Sequence, residues 1–124
     1  MHGIGLAQGV KVIPLADDGV VDTQGFEGVV FICTFGSASA SNEMQATYSD
    51  DAGGTGKSDT GVVTDMDGVA TVGILEVHKP RKRFVGCDLT GAGTMVAVLY
   101  GARKVKVAQD ATTTIAQSNV SPVV

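Results

Sequence analysis

Along most of this chain apolar and polar residues alternate with a period of two, the spacing of a pleated strand that buries one face. The stretch around Val10–Leu15 alternates weakly and reaches Pro14. It fits a starting or edge strand, because proline donates no hydrogen bond to a ladder. Residues 26–36 give the strongest strand signal, continuously apolar from Val29 to Ile32 and rich in branched and aromatic side chains. Such continuity predicts a central strand buried on both faces, with Phe31, Cys33 and Phe35 on one and Val30, Ile32 and Thr34 on the other. After the small-residue loop 36–42, residues 43–50 place Met44, Ala46 and Tyr48 on one side. This pair reads as a hairpin with a long connection.

Residues 50–61 are polar and glycine-rich and predict an exposed loop. A strand over residues 69–80 is entered through the turn signal Asp67-Gly68. In 83–89, Val85, Cys87 and Leu89 face one way, and Phe84, Gly86 and Asp88 the other. Residues 90–93 read as the turn of a hairpin into a nearly all-apolar strand, Met95 to Tyr100. No window holds a 3.6-residue period over three turns. The expectation is an all-β single domain, a β-sandwich or jelly roll of about seven or eight short strands, with a small barrel as the open alternative. The domain covers residues 1–107. Residues 108–124 are polar and carry no charge after Asp110. They read either as a frayed terminus or as an extended C-terminal arm that adds to the sheet edge of a neighbouring subunit.

Composition sharpens this picture. The 124 residues include 17 Gly, no Trp and only 5% aromatics. Abundant Val and Thr favour pleated surfaces, because branching at Cβ is accommodated there. At 12.6 kDa roughly two-thirds of the unfolded surface can be buried, enough for one core without disulfides or a metal. Cys33 and Cys87 each lie in an apolar run. Residues 1–10 lack the charged and apolar regions of a secretory signal, so buried free thiols are expected. No stretch is apolar for the ~18 residues of a membrane span.

The formal charge of −4 is unevenly spread: Met1–His78 holds eleven acidic and two basic side chains, Lys79–Val124 seven basic and two acidic. Acidic and basic strands can be neighbours within the fold. Alternatively, the polarity orients a copy of the chain or an acidic partner. The basic end consists of residues 79–83, with Arg81, Lys82 and Arg83, together with Arg103, Lys104 and Lys106. It reads as a solvated, charge-guarded edge or as a docking patch for an acidic protein surface. Nucleic acid is not expected, because no aromatics interleave with these bases.

Other motifs fall short of their chemistry. Gly56-Lys57-Ser58 matches part of a phosphate loop, but Asp51 occupies the leading glycine position and no helix pattern follows. Asp65, Asp67 and Gly68 resemble the start of a calcium loop, but Ile74 stands where the closing glutamate belongs. With Asp50 and Asp51 they read as ordinary turns. His2 and His78 are the only histidines, no nucleophile elbow exists, and the setting of Cys33 disfavours a thiolate. No enzymatic activity, cofactor or metal is expected.

Residues 73–107, with the basic run, an aromatic-Val strand, a Gly-rich turn and an apolar strand ending in Gly and basic residues, are similar to a pattern in small tailed-bacteriophage structural proteins. Val29–Phe35 followed by Ala46–Gly53 extends the likeness, which spans roughly residues 20–107. The chain thus resembles a virion protein of the capsid cement or decoration kind. The resemblance implies a non-enzymatic protein that binds and stabilises the head shell. Its partners would be the major capsid protein or another virion protein, and its location the virion, assembled in the host cytoplasm. A dimer or trimer is expected, with Arg81, Lys82, Arg83, Arg103, Lys104 and Lys106 as the partner patch. Ile115, Val120 and Val123 belong to the arm. A neck or tail connector and a carbohydrate-binding or adhesin-like β module are the alternatives.

Overall fold

Branched and aromatic runs separated by glycine-rich turns form eight strands in the computed structural model, which describes residues 9–102. They are β1 (Lys11–Leu15), β2 (Val20–Asp22), β3 (Gly28–Phe35), β4 (Glu43–Ser49), β5 (Ser58–Val63), β6 (Val72–His78), β7 (Phe84–Thr90) and β8 (Gly93–Tyr100). The described residues contain no helical element, and the all-β class follows. Every pairing is antiparallel. The first sheet has the order β1-β8-β3-β6 and the second β2-β7-β4-β5.

The pairings have a simple logic. β1 pairs with β8, β2 with β7, β3 with β6 and β4 with β5, as in one long hairpin whose tip is the β4–β5 turn. Two further pairings, β3–β8 and β4–β7, roll that ribbon into two sheets. The arrangement is sandwich-like, because one core cluster draws side chains from both. Val29, Phe31, Cys33, Phe35, Leu75, Val77, Met95, Ala97 and Leu99 come from the first sheet; Val21, Met44, Ala46, Val85 and Cys87 from the second. The two thiols are free and buried, as expected. Burial raises both, Cys87 to about 12, because a thiolate there would lose its hydration.

Alternation along the strands is as the sequence predicts. Phe31, Cys33 and Phe35 point into the core, as do Val85 and Cys87. Pro14 lies on β1, an edge strand. Partnership and cover differ from expectation. β3 is central but buried on one face only: Val30 and Ile32 are half-buried and Thr34 is exposed. Neither expected hairpin forms, because β3 and β4 lie in different sheets, as do β7 and β8. Loop 36–42 and turn 90–93 carry the chain from one sheet to the other. Residues 50–61 are not wholly loop. β5 begins at Ser58 and accommodates a register shift beside Gln45–Thr47, where Gly61 adopts a φ of 87° that glycine tolerates at little cost. β2, three residues long, was too short to stand out as a pattern. The boundary at 107/108 and the arm beyond it lie outside the described residues.

Candidate interaction site

The basic run 79–83 connects β6 to β7 at one end of the sandwich, and it is held by its backbone. Lys79 N–H donates to the Glu27 carbonyl at 2.8 Å. At the other end Thr23 donates to the Arg83 carbonyl through its amide (2.8 Å) and its hydroxyl (2.6 Å). Arg81 N–H donates to the Tyr48 hydroxyl at 3.1 Å. Lys79 itself sits at a φ of 51°, a turn conformation uncommon for a side chain with a Cβ. The run is thereby fixed against the turn 23–27, whose own closure is Phe26 N–H to the Thr23 carbonyl, 3.0 Å.

Between these segments lies an open groove of about 650 Å³, walled by Phe26, Gln24 and Gly101 on one side and Lys79–Arg83 on the other. Its cations are not equivalent. Arg83 grips Asp22 through two parallel hydrogen bonds of 2.7 Å, the fork geometry guanidinium is shaped for. Its guanidinium also lies over the Phe84 ring, 5.0 Å from the centroid. Arg83 accordingly holds the Asp22 carboxyl below its ordinary range. Lys82 Nζ is 2.8 Å from Asp50 Oδ1. Lys79 and Arg81 are exposed and form no ion pair among the described residues.

The structure thus brings Arg81, Lys82 and Arg83 into one groove and engages the last two with acidic residues from the first half of the chain. Part of the charge asymmetry along the sequence is internal adjacency, with acidic and basic segments neighbours in space. Phe26 and the 23–27 turn join the basic run in the groove through contacts some 50 to 60 residues apart, which local patterns do not reveal. Arg103, Lys104, Lys106, Ile115, Val120 and Val123 lie outside the described residues.

The remaining motifs resolve into turns and ties. Asp67 Oδ1 accepts from the amides of Val69 and Ala70, both at 2.8 Å. Asp51 Oδ1 accepts from Gly53 and Thr55. These bonds hold both carboxyls below their usual range. No group of three or more His, Cys, Asp or Glu side chains among the described residues is placed to hold a metal ion. Lys57, the phosphate-loop lysine, is 2.7 Å from Asp88 and 3.4 Å from Asp18 and leads into a strand. It ties the β4–β5 turn across the outside of the second sheet. No protein-family model matches the chain, and no curated protein or solved structure matches it.

Proposed function

We propose that this chain is a non-enzymatic structural module that docks on a repeating protein shell, a virion protein of the capsid cement kind. The observation that carries the reading is the groove at the end of the sandwich. There the side-chain charges of Lys79 and Arg81 form no ion pair among the described residues and are presented on a loop fixed at both ends by its backbone. A preorganised cationic rim suits an acidic protein surface, steering encounter and fixing register more than it adds raw affinity. The pairing of β1 with β8 through β4 with β5 supports reading the sandwich as a jelly roll, an architecture used by viral capsid and lectin domains. The resemblance of residues 20–107 to small phage structural proteins points the same way. Repetition over many shell subunits would make a modest individual interface sufficient.

The test is co-sedimentation of the purified chain with head shells and, separately, with tails of the encoding phage, using wild type and the Lys79→Glu/Arg81→Glu double variant. Saturable binding to shells at a fixed ratio, weakened at least tenfold in the variant, is the expected result. Binding to tails alone would make it a connector; binding to neither overturns the reading. A second reading rests on the size of the groove, which falls in the range of small-ligand sites, and on Phe26 in its wall. A carbohydrate-binding module would answer a glycan array with a defined, saturable ligand.

A further inference from the structure

The two sheets present very different outer surfaces. Outside the second sheet stand Asp22, Glu43, Gln45 and Asp88 beside the half-buried Val20 and Phe84, and Lys57 crosses it in an ion pair. Outside the first sheet polar residues stand only towards the two ends of the face, with Thr34 beside Thr94 at one end and Glu76, His78 and Tyr100 at the other. The register aligns Pro14, Val96, Ile32 and Ile74 in one row across all four strands. The next row places Val98 beside Val30. Val72 and Ile74, on the edge strand β6, are 51% and 64% exposed. Charge on this face is confined to one corner, where Glu76 and His78 meet Tyr100. An antiparallel sheet with one solvated face ordinarily alternates apolar-in with polar-out. Here the middle of the sheet is apolar on both sides, although only one side faces the core.

We infer that the outer face of the first sheet is a homodimer interface, on which a second copy of the chain packs through the same face. Four strands about 4.8 Å apart and roughly six or seven residues long make a face on the order of 20 Å by 20 Å. With its corrugation, the exposed Val69 that leads into β6, and the exposed Val63 of β5, which borders one hollow with Val72 and Ile74, it approaches the ~800 Å² that each partner gives to a standard interface. Near-absence of charge selects the occupant. A partner recognised by charge has little to read here, whereas an uncharged sheet of branched side chains is complementary to itself. Two such sheets pack face to face at about −30°, as inside a sandwich. A two-fold axis near the Ile32–Val96 pair lays the Val/Ile rows of one copy on those of the other, an isologous contact that closes. The inference does not rest on the virion reading: it concerns the isolated chain in solution, and the groove lies at the end of the sandwich.

The test is the mass of the full chain by light scattering and sedimentation across a concentration series. The variants are Ile74→Lys, at a position too exposed to endanger the fold, and Val96→Lys at the centre of the face. Wild type should show twice the 12.6 kDa protomer mass. Ile74→Lys should weaken dimerisation at least tenfold with an unchanged circular dichroism spectrum, and Val96→Lys should abolish it. A monomeric wild type at about 100 μM overturns the inference and assigns the face to the chain's own residues outside 9–102 or to a different protein. A trimer, or a dimer indifferent to Ile74→Lys, overturns it equally.

Discussion

Replacing Gly28 with Ala should destabilise the fold, although the general rule gives the opposite sign. Gly→Ala at a position with an ordinary backbone conformation stabilises by about 0.4–1 kcal/mol, because the unfolded chain has less freedom to lose. Gly28 is buried and does not occupy the left-handed region. Its place in the register decides the matter: it lies between Tyr100 on β8 and His78 on β6. With no side chain on β3 at that point, the Tyr100 ring crosses the strand. It stacks on His78 with centroids 6.1 Å apart and planes 6° from parallel, and its hydroxyl donates to Glu76. A Cβ on residue 28 would stand 2.7 Å from Tyr100 Cζ and 2.8 Å from the Val77 carbonyl oxygen. The ring can swing away; the carbonyl cannot. Overpacking of this kind costs about 1–3 kcal/mol. Losing a hydrogen bond to a carboxylate adds roughly 1 kcal/mol at an exposed site. Against the entropic gain, the net is about 1–3 kcal/mol of destabilisation, read by urea denaturation as a lowered midpoint at constant m. In a Tyr100→Ala background the cost should fall by about half, leaving the carbonyl contact. A Gly28→Ala chain as stable as wild type, or one whose cost is the same without the tyrosine ring, refutes this account.

Two further outcomes follow from the ionisable groups. Arg83 holds the Asp22 carboxyl below its ordinary value, so the unfolded chain takes up that proton at a higher pH than the folded one. The stability from this pair is complete above the unfolded value of ~3.9 and is lost as pH falls through the lower folded value. The stability difference between wild type and Arg83→Ala should therefore shrink on going from pH 6 to below pH 3; a difference that does not change with pH would show that the pair is not its source. The Cys87 thiol, raised to about 12 by burial, exposes about one thiolate in ten thousand at pH 8 by ordinary titration. Cys33 is raised as well. Labelling of both by an aromatic disulfide should be slow in buffer and accelerate through the urea transition; stoichiometric reaction of the native chain within minutes would contradict their placement in the core.

What could be read from the sequence divides along a physical line. A period of two reports which side chains share a face, and that reading holds for Phe31, Cys33 and Phe35 and for Val85, Cys87 and Leu89. It contains nothing about which strand lies alongside. Residues 36–42 and 90–93 look like hairpin connections in the sequence because hairpins are the commonest way to join neighbouring antiparallel strands. Here both carry the chain between sheets, and the true partners of β3, namely β6 and β8, lie about 40 and 65 residues further along. The groove suffers the same blindness: the basic run was visible, but its pairing with Asp22 and Asp50 and its closure by the 23–27 turn are long-range.

The one misjudged burial is also the most informative. The apolar run Val29 to Ile32 has no polar alternation and so predicts cover on both sides. Among the described residues, cover is provided on one side only. In the proposed dimer a further layer over the first sheet would reconcile the composition of the run with the exposure of its outer half. Val96 and Val98 on β8 and Ile74 on β6 repeat the pattern in register with β3, so the excess apolarity is a property of the face, not of one strand. Solubility alone would favour polar residues at these positions, as at Asp22, Gln45 and Asp88 outside the other sheet. The asymmetry between two sheets of equal strand number is therefore the ground for placing the proposed dimer on the first sheet, and that placement leaves the groove at the sandwich end open for a different partner.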